Sequence, residues 1–190
     1  SQGDVRRNAL SDFTNVKRNG KIAMKLPEGI ELVNARICDM NDDVMLVTKG
    51  GRAIRFSTTD VRIFNSREST GVRGIRLSGD DRVVSMSVIR HFEATPEERT
   101  AYLKMRRAQE GVSDDTEAGD EDEIVADAGQ LNLERFAEMS AAEDLILTIT
   151  IAGSGKLSSS HDYPLRGRGG QGVKAITAGS RGGTLIACFP

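Results

Sequence analysis

The chain has 190 residues, 38% hydrophobic and 28% charged, with 20 Gly, no Trp and 2 Cys. That length is enough for one ordinary domain with a real core, and the absence of any run near the ~20 apolar residues of a spanning helix excludes a helical membrane protein. The formal net charge of −2 hides two opposite regions: Glu93–Asp144 holds 16 acids and 5 bases, while the remainder holds 12 acids and 21 bases.

A basic body suits a polyanionic partner. The acid run Asp114–Glu123 reads as a disordered loop. Cys38 and Cys188 stand 150 residues apart in apolar surroundings and read as reduced thiols of a cytosolic protein. Ser1-Gln2-Gly3-Asp4 carries no secretory signal. With the stop at Phe189-Pro190, it reads as the middle of something longer.

Gly3-Asp4-Val5-Arg6-Arg7 is the first of three Gly-led starts. Seventeen residues on, Gly20-Lys21-Ile22-Ala23-Met24-Lys25-Leu26 leads an apolar alternation. Leu32-Val33 forms a third run, and Asp43-Val44-Met45-Leu46-Val47 a fourth. The fourth run leads straight into the second start, Gly51-Arg52-Ala53-Ile54-Arg55. The second copy continues with Gly71-Val72-Arg73-Gly74-Ile75-Arg76-Leu77 and Val83-Val84. Its fourth run, Asp144-Leu145-Ile146-Leu147-Thr148, comes only after the acidic segment. The third start, Gly153-Ser154-Gly155-Lys156, is followed by Gly172-Val173-Lys174-Ala175-Ile176 and Leu185-Ile186.

The starts lie 48 and 102 residues apart, and the 52 residues of Glu93–Asp144 account for most of the excess. The unit is therefore four short strands in about 50 residues. Asn19-Gly20 and Lys49-Gly50-Gly51 read as tight turns. A four-stranded unit of this period points to a propeller-like array, in which each blade buries its faces on a neighbour.

The acidic segment has a different grammar. Thr95-Pro96-Glu97-Glu98 supplies an N-cap, a proline at the first helical position and a glutamate at the third. That predicts a helix carrying Tyr102, Leu103 and Met105 and ending near Gly111. A second helix is predicted from about Leu133 to Glu143, with Phe136 and Met139. The expected organisation is repeats over 1–92, an acidic, partly helical insertion over 93–143, and a further repeat over 144–190. Facing a basic body, the acidic segment is placed either to compete with a polyanion or to act as a plain tether.

Three stretches make the repeat recognisable: Asp43–Phe56, Thr70–Leu77, and Ile146-Leu147-Thr148 leading into Gly153. They resemble the C-terminal domain of the DNA gyrase A subunit, over residues 1–92 and 144–190. The resemblance implies an all-β fold, a β-pinwheel of four-stranded blades, of which this chain would be part of a six-bladed array. The family's signature box is Gln-Arg-Arg-Gly-Gly-Lys-Gly. Here Arg166-Gly167-Arg168-Gly169-Gly170-Gln171-Gly172 matches it at Arg168, Gly169, Gly170 and Gly172, and reads as a degenerate copy in a later blade.

The resemblance further implies that the outer rim binds and bends duplex DNA. The parent would be an ATP-dependent type IIA topoisomerase that introduces negative supercoils. The implied partners are DNA, the rest of the gyrase A chain, and gyrase B in an A2B2 complex on the cytoplasmic nucleoid. ATP and magnesium would belong to other parts of that enzyme, and no cofactor, metal or membrane to this chain.

Cations recur at matching repeat positions: Arg6 and Arg7, Lys21 and Lys25, Arg52 and Arg55, Arg73 and Arg76, and Arg166, Arg168 and Lys174. Any single one could merely solvate an outward strand face. The recurrence is what suggests a belt of phosphate contacts, which supply affinity without reading sequence. Bending a short duplex costs of order 1–6 kcal/mol, so many contacts are needed. Two rivals fit the same residues: the C-terminal domain of the topoisomerase IV A subunit, and a propeller-type protein-interaction module.

Other motifs fail on context. Gly167–Gly172 fits G-x-G-x-x-G, but no helix pattern or later acid follows it. Gly153-Ser154-Gly155-Lys156 lacks the P-loop's first glycine and its Ser/Thr. Tyr102 stands between Ala101 and Leu103 rather than the Arg and Thr of a topoisomerase nucleophile, and reads as a packing residue. His91 and His161 lack ligand-spaced partners, and Ser158-Ser159-Ser160 lacks an oxyanion motif. No catalytic centre is expected.

Overall fold

The computed structural model describes residues 1–66, 68–111, 129, 131–175 and 183–190. The acid run 114–123, expected as a disordered loop, lies outside the described residues, as does Ile176.

Among the described residues, nine strands build three antiparallel sheets. They are β1 (Asp4–Val5), β2 (Asp42–Thr48), β3 (Arg52–Ser57), β4 (Val72–Arg73), β5 (Val83–Arg90), β6 (Leu145–Thr150), β7 (Gly155–Ser159), β8 (Val173–Lys174) and β9 (Leu185–Phe189). The sheet orders are β1-β4, β5-β2-β3-β8 and β7-β6-β9. The middle sheet is covered on both faces, which explains the unbroken apolar run of β2. Val44 and Leu46 point one way, into a core with Ile54, Phe56, Phe64 and Ile75. Met45 and Val47 point the other way, against Ile89, Ile146, Tyr163, Leu185 and Cys188. Alternate residues of one strand thus knit three sheets into a stack.

The pairing shows how the repeats combine into sheets. β2 is the fourth run of the first copy, and it pairs with β3 and β5 of the second copy. The fourth position is taken by β8, from the third copy, through Arg52↔Lys174 and Ala53↔Val173. The short β1-β4 pair repeats that exchange one copy earlier, with Asp4↔Arg73 and Val5↔Val72. Repeat and sheet are therefore out of phase, and each sheet is stitched from neighbouring copies.

The same rule explains a correction. Gly20–Leu26 and Leu32-Val33 were expected as strands, but no strand lies between Val5 and Asp42. Equivalent runs pair with strands from the preceding copy, and no copy ahead of Gly3 is among these residues. Without a partner, Ile22 is 68% exposed and Leu32 57% exposed.

Between β5 and β6 the chain forms helices α1 (Pro96–Glu110) and α2 (Leu133–Ala141). α1 has the expected capping box, with the Thr95 side chain accepting from the Glu98 N–H and the Glu98 carboxylate from the Thr95 N–H. It ends on Gly111 at φ 68°, as a left-handed C-cap favours. The helices are fastened to the sheets by an aromatic cluster. Tyr102 stacks tilted on Phe136 at 5.0 Å and edge-on to His161 at 4.9 Å, and Phe92 meets His161 at 5.6 Å. The Tyr102 side chain packs as the sequence suggested, being 1% exposed. Arg135 binds Glu98 at 2.8 Å and lies over Phe92, holding the Glu98 carboxyl below its ordinary range.

Candidate nucleic-acid interface

The box-like turn, Arg166–Gly172, lies beside β3 and the segment after β4 and is bonded to both through backbone groups. The Arg166 N–H donates to the Arg55 carbonyl at 2.9 Å, next to a parallel bridge between Arg55 and Leu165. The Gly169 N–H donates to the Gly74 carbonyl at 2.6 Å, and the Arg76 N–H to the Gly170 carbonyl at 2.7 Å. Gly172 sits at φ 71°, where an added Cβ would lie 2.3 Å from the Ala53 carbonyl oxygen. Only glycine lets the turn approach β3 this closely.

This lacing gathers cations from two copies. Arg168 donates from Nε to the Asp60 carbonyl at 2.9 Å and from Nη1 to the Arg73 carbonyl at 3.1 Å. Arg52 donates to the Gly172 carbonyl at 3.2 Å, and its Cα partner is Lys174. Arg52, Arg73, Arg76, Arg166, Arg168 and Lys174 are all exposed, and backbone bonds and strand pairing link the segments that carry them. Because the carbonyl bonds hold Arg52 and Arg168 in place, less side-chain freedom is lost when an anion binds. Asp4, opposite Arg73, is the acid paired into the strands at its edge.

The remaining five expected residues lie elsewhere or are otherwise engaged. Arg55 is a correction: its guanidinium is 3% exposed and bound to Asp43 at 2.7 Å. It also donates to the carbonyls of Ser160 and Arg90, both at 3.0 Å. β3 turns it inward, onto the face shared with Met45, so it joins the middle and last sheets and is not open to a phosphate. Arg6 is half-buried over the Phe64 ring and donates to Asn8 and to the carbonyls of Ser66 and Ser69. Arg7 is half-buried beside Ile63. Lys21 donates to the Asp12 carbonyl and lies over Phe13. Lys25 is exposed in the strandless stretch, apart from the turn.

Structural roles that the sequence did not reveal fall to Asp43, Arg90 and His161. Asp43 is fully buried between Arg55 and His91, whose Nδ1 lies 2.8 Å from it. Arg90 reaches the Asp144 carboxylate and the carbonyls of Ala141 and Glu143. His161 lies 2.9 Å from the Met139 carbonyl through Nε2, so that nitrogen carries the proton. Burial lowers its pKa and keeps the ring neutral. No local motif flags these residues, because each partner is distant in sequence. Arg99, outside the repeat, reaches a cleft of about 140 Å³ with Ala94, Pro96, Pro164, Leu165 and Arg166.

The exposed cations of this surface present hydrogen-bond donors to an anion. Ser158, Ser159 and Ser160 are buried in the sheet and the turn after it. Among the described residues, no group of three or more His, Cys, Asp or Glu side chains is placed to hold a metal. Cys38 and Cys188 are free thiols, with burial pushing Cys188 up to about 12. No helix among the described residues is long and apolar enough to cross a membrane.

The model of the family described as DNA gyrase C-terminal domain, beta-propeller, matches residues 2–39, 42–90 and 144–190. The chain is 47% identical over 201 residues to the DNA gyrase A protein of Granulibacter bethesdensis, covering all of this chain and 21% of that protein. It is 37% identical over 190 residues to the DNA gyrase A protein of Rickettsia bellii, again covering all of this chain and 21% of the relative. The chain thus spans about a fifth of the length of these relatives. The crystal structure of the C-terminal domain of DNA topoisomerase IV shares its fold, with a TM-score of 0.64 at 16% identity over 98% of this chain and 43% of that one. On the family match and these relatives, the chain belongs to the beta-propeller family of DNA gyrase C-terminal domains.

Proposed function

We propose that this chain binds duplex DNA on its cationic turn surface and bends it, as the wrapping part of gyrase A. The observation that supports this reading is that six exposed cations from two copies stand on segments bonded to one another through the Arg166–Gly172 turn. Phosphates are the matching ligand, since duplex DNA presents one charge per ~1.7 Å of axis and a rigid cationic curve can follow it. The bend supplies further contacts around the sheet stack that offset its elastic cost. The parent enzyme would use the bent segment to introduce negative supercoils with ATP. The chemistry would lie in other parts of gyrase A and in gyrase B, within an A2B2 complex on the cytoplasmic nucleoid. The chain itself would carry no active site and no cofactor. Residues 93–143 are read as an insertion between the third and fourth runs of the second copy.

A labelled duplex of about 40 base pairs, with dyes at its ends, tests this. Energy transfer rising on addition of the intact gene product, equally for unrelated sequences, supports bending. Binding with no rise in transfer would refute it. The topoisomerase IV reading has one observation in its favour, the fold match at 16% identity. It predicts the same bending, so the identity of the relatives favours gyrase.

A further inference from the structure

We infer that Asn34 and Ser85 are positioning residues for the bend: they latch each copy of the repeat to the next along the third runs, and so set the angle between copies that a bound duplex follows. This rests on the reading that the chain bends DNA. The third runs open on Leu32, Val83 and Leu185, which makes Asn34 and Ser85 equivalent, and likewise Met86 and Cys188. The strand registers agree. Met86 on β5 stands opposite Leu46, and Cys188 on β9 stands opposite Thr148, each the same distance further along the chain. One bond recurs between these positions. The Asn34 Nδ2 donates to the Met86 carbonyl at 3.1 Å, 52 residues on. The Ser85 hydroxyl donates to the Cys188 carbonyl, 103 residues on. Each time, the third position of one copy meets the fourth position of the following copy. The third runs of all three copies also line one cavity of about 490 Å³, with Asn34, Ser85, Ser87 and Cys188 in its wall.

Apolar packing joins the copies as well, with Ile89, Leu185 and Cys188 in one core. Such packing has no preferred direction, whereas a hydrogen bond weakens steeply as its angle closes. β5 and β9 stand at the ends of their sheets, and an end strand keeps a row of carbonyls without a ladder partner. The latch brings the Met86 and Cys188 carbonyls a donor from the copy before. The Asn34 Oδ1 accepts the Ala35 N–H at 2.8 Å, which leaves the NH2 group to donate. The Ser87 hydroxyl adds a second donor to the Cys188 carbonyl at 3.3 Å. None of the six exposed cations of the turn surface lies on a third run, so the latch can be cut without removing a cation.

The test measures end-to-end energy transfer in a doubly labelled duplex of about 40 base pairs at saturating intact gene product, beside the salt slope of binding. Asn34→Ala, and Ser85→Ala combined with Ser87→Ala, are each expected to lower the saturated transfer, with the largest loss when all three are combined. The log–log salt slope should change by less than about one, because no phosphate contact is removed. Ser85→Thr, which keeps the hydroxyl, should retain the wild-type transfer. Ile89→Val, which trims the same core without touching the latch, should retain it too. Transfer is read well below the melting temperature of each variant, so that a loss reports the angle and not unfolding. The latch is overturned if the alanine variants keep wild-type transfer, if Ile89→Val lowers it equally, or if Ser85→Thr loses as much as alanine. It is also overturned if transfer falls only in step with the salt slope, since lost phosphate contacts then explain the fall. Wild-type protein that binds without any rise in transfer would refute the proposed bending and the latch with it, whereas bending that survives in every variant refutes the latch alone.

Discussion

Residues 20–37 and 71–90 occupy equivalent places in two copies of the repeat, yet only the second stretch forms strands. Gly20 and Gly71 show why. Both hold positive φ, at 80° and 103°. A Cβ on Gly71 would lie 2.2 Å from the Val5 carbonyl oxygen, whereas one on Gly20 would meet nothing within 4 Å. The local conformation is alike, and the neighbour differs. Strand formation in this repeat is thus set by the partner from the adjoining copy, in keeping with the strong context dependence of β propensity.

The largest way to break the comparison is to unfasten the closed region. Arg55→Ala leaves the fully buried Asp43 without its guanidinium and is expected to cost about 3–5 kcal/mol. Thermal melting should show a large loss of stability, and unchanged melting would contradict the assigned role. Next come the glycines. Gly71→Ala and Gly172→Ala add backbone clash to strain and should each cost about 3 kcal/mol, against about 1 for Gly20→Ala. Equal losses in chemical denaturation at all three sites would mean that the neighbour does not matter.

The smallest effect is a pH dependence at the helical segment. Burial lowers the His161 pKa below 6.5, so the unfolded chain takes up its proton first as pH falls. Stability from this site is therefore complete above 6.5 and declines below it, toward the lowered folded value. The nearby Asp162 has its pKa raised, mainly by burial, and contributes in the opposite sense above its ordinary 3.8. His161→Gln should remove the decline just below 6.5, read as melting temperature against pH. A variant that keeps the full decline would assign it to another group.

Much of this was legible in the sequence, for identifiable reasons. The four-run period, the α1 cap at Thr95 and its stop at Gly111 are local signals, and local signals survive folding. The out-of-phase stitching was not legible, because it is a pairing choice between copies that look alike. Arg55 misleads for a related reason. Arg52 and Arg55 share a strand and a repeat pattern, yet three residues of separation turn them to opposite faces. One meets solvent and the other a buried carboxylate. Gly172 carries the turn signal in its residue type, while the Arg55 and Gly74 carbonyls that accept the turn's N–H groups and the Arg76 N–H that donates to it leave no trace in composition.

The most direct test of the phosphate-reading surface is the salt slope itself. Anisotropy of a labelled duplex of about 40 base pairs, titrated with the intact gene product across a range of salt, gives log K against log salt. Six exposed cations imply a slope at least as steep as about −5, and replacing Arg52, Arg73, Arg76 and Arg168 by alanine should flatten it by about 3–4. Binding that ignores salt, or a slope that survives loss of those four side chains, would contradict the account.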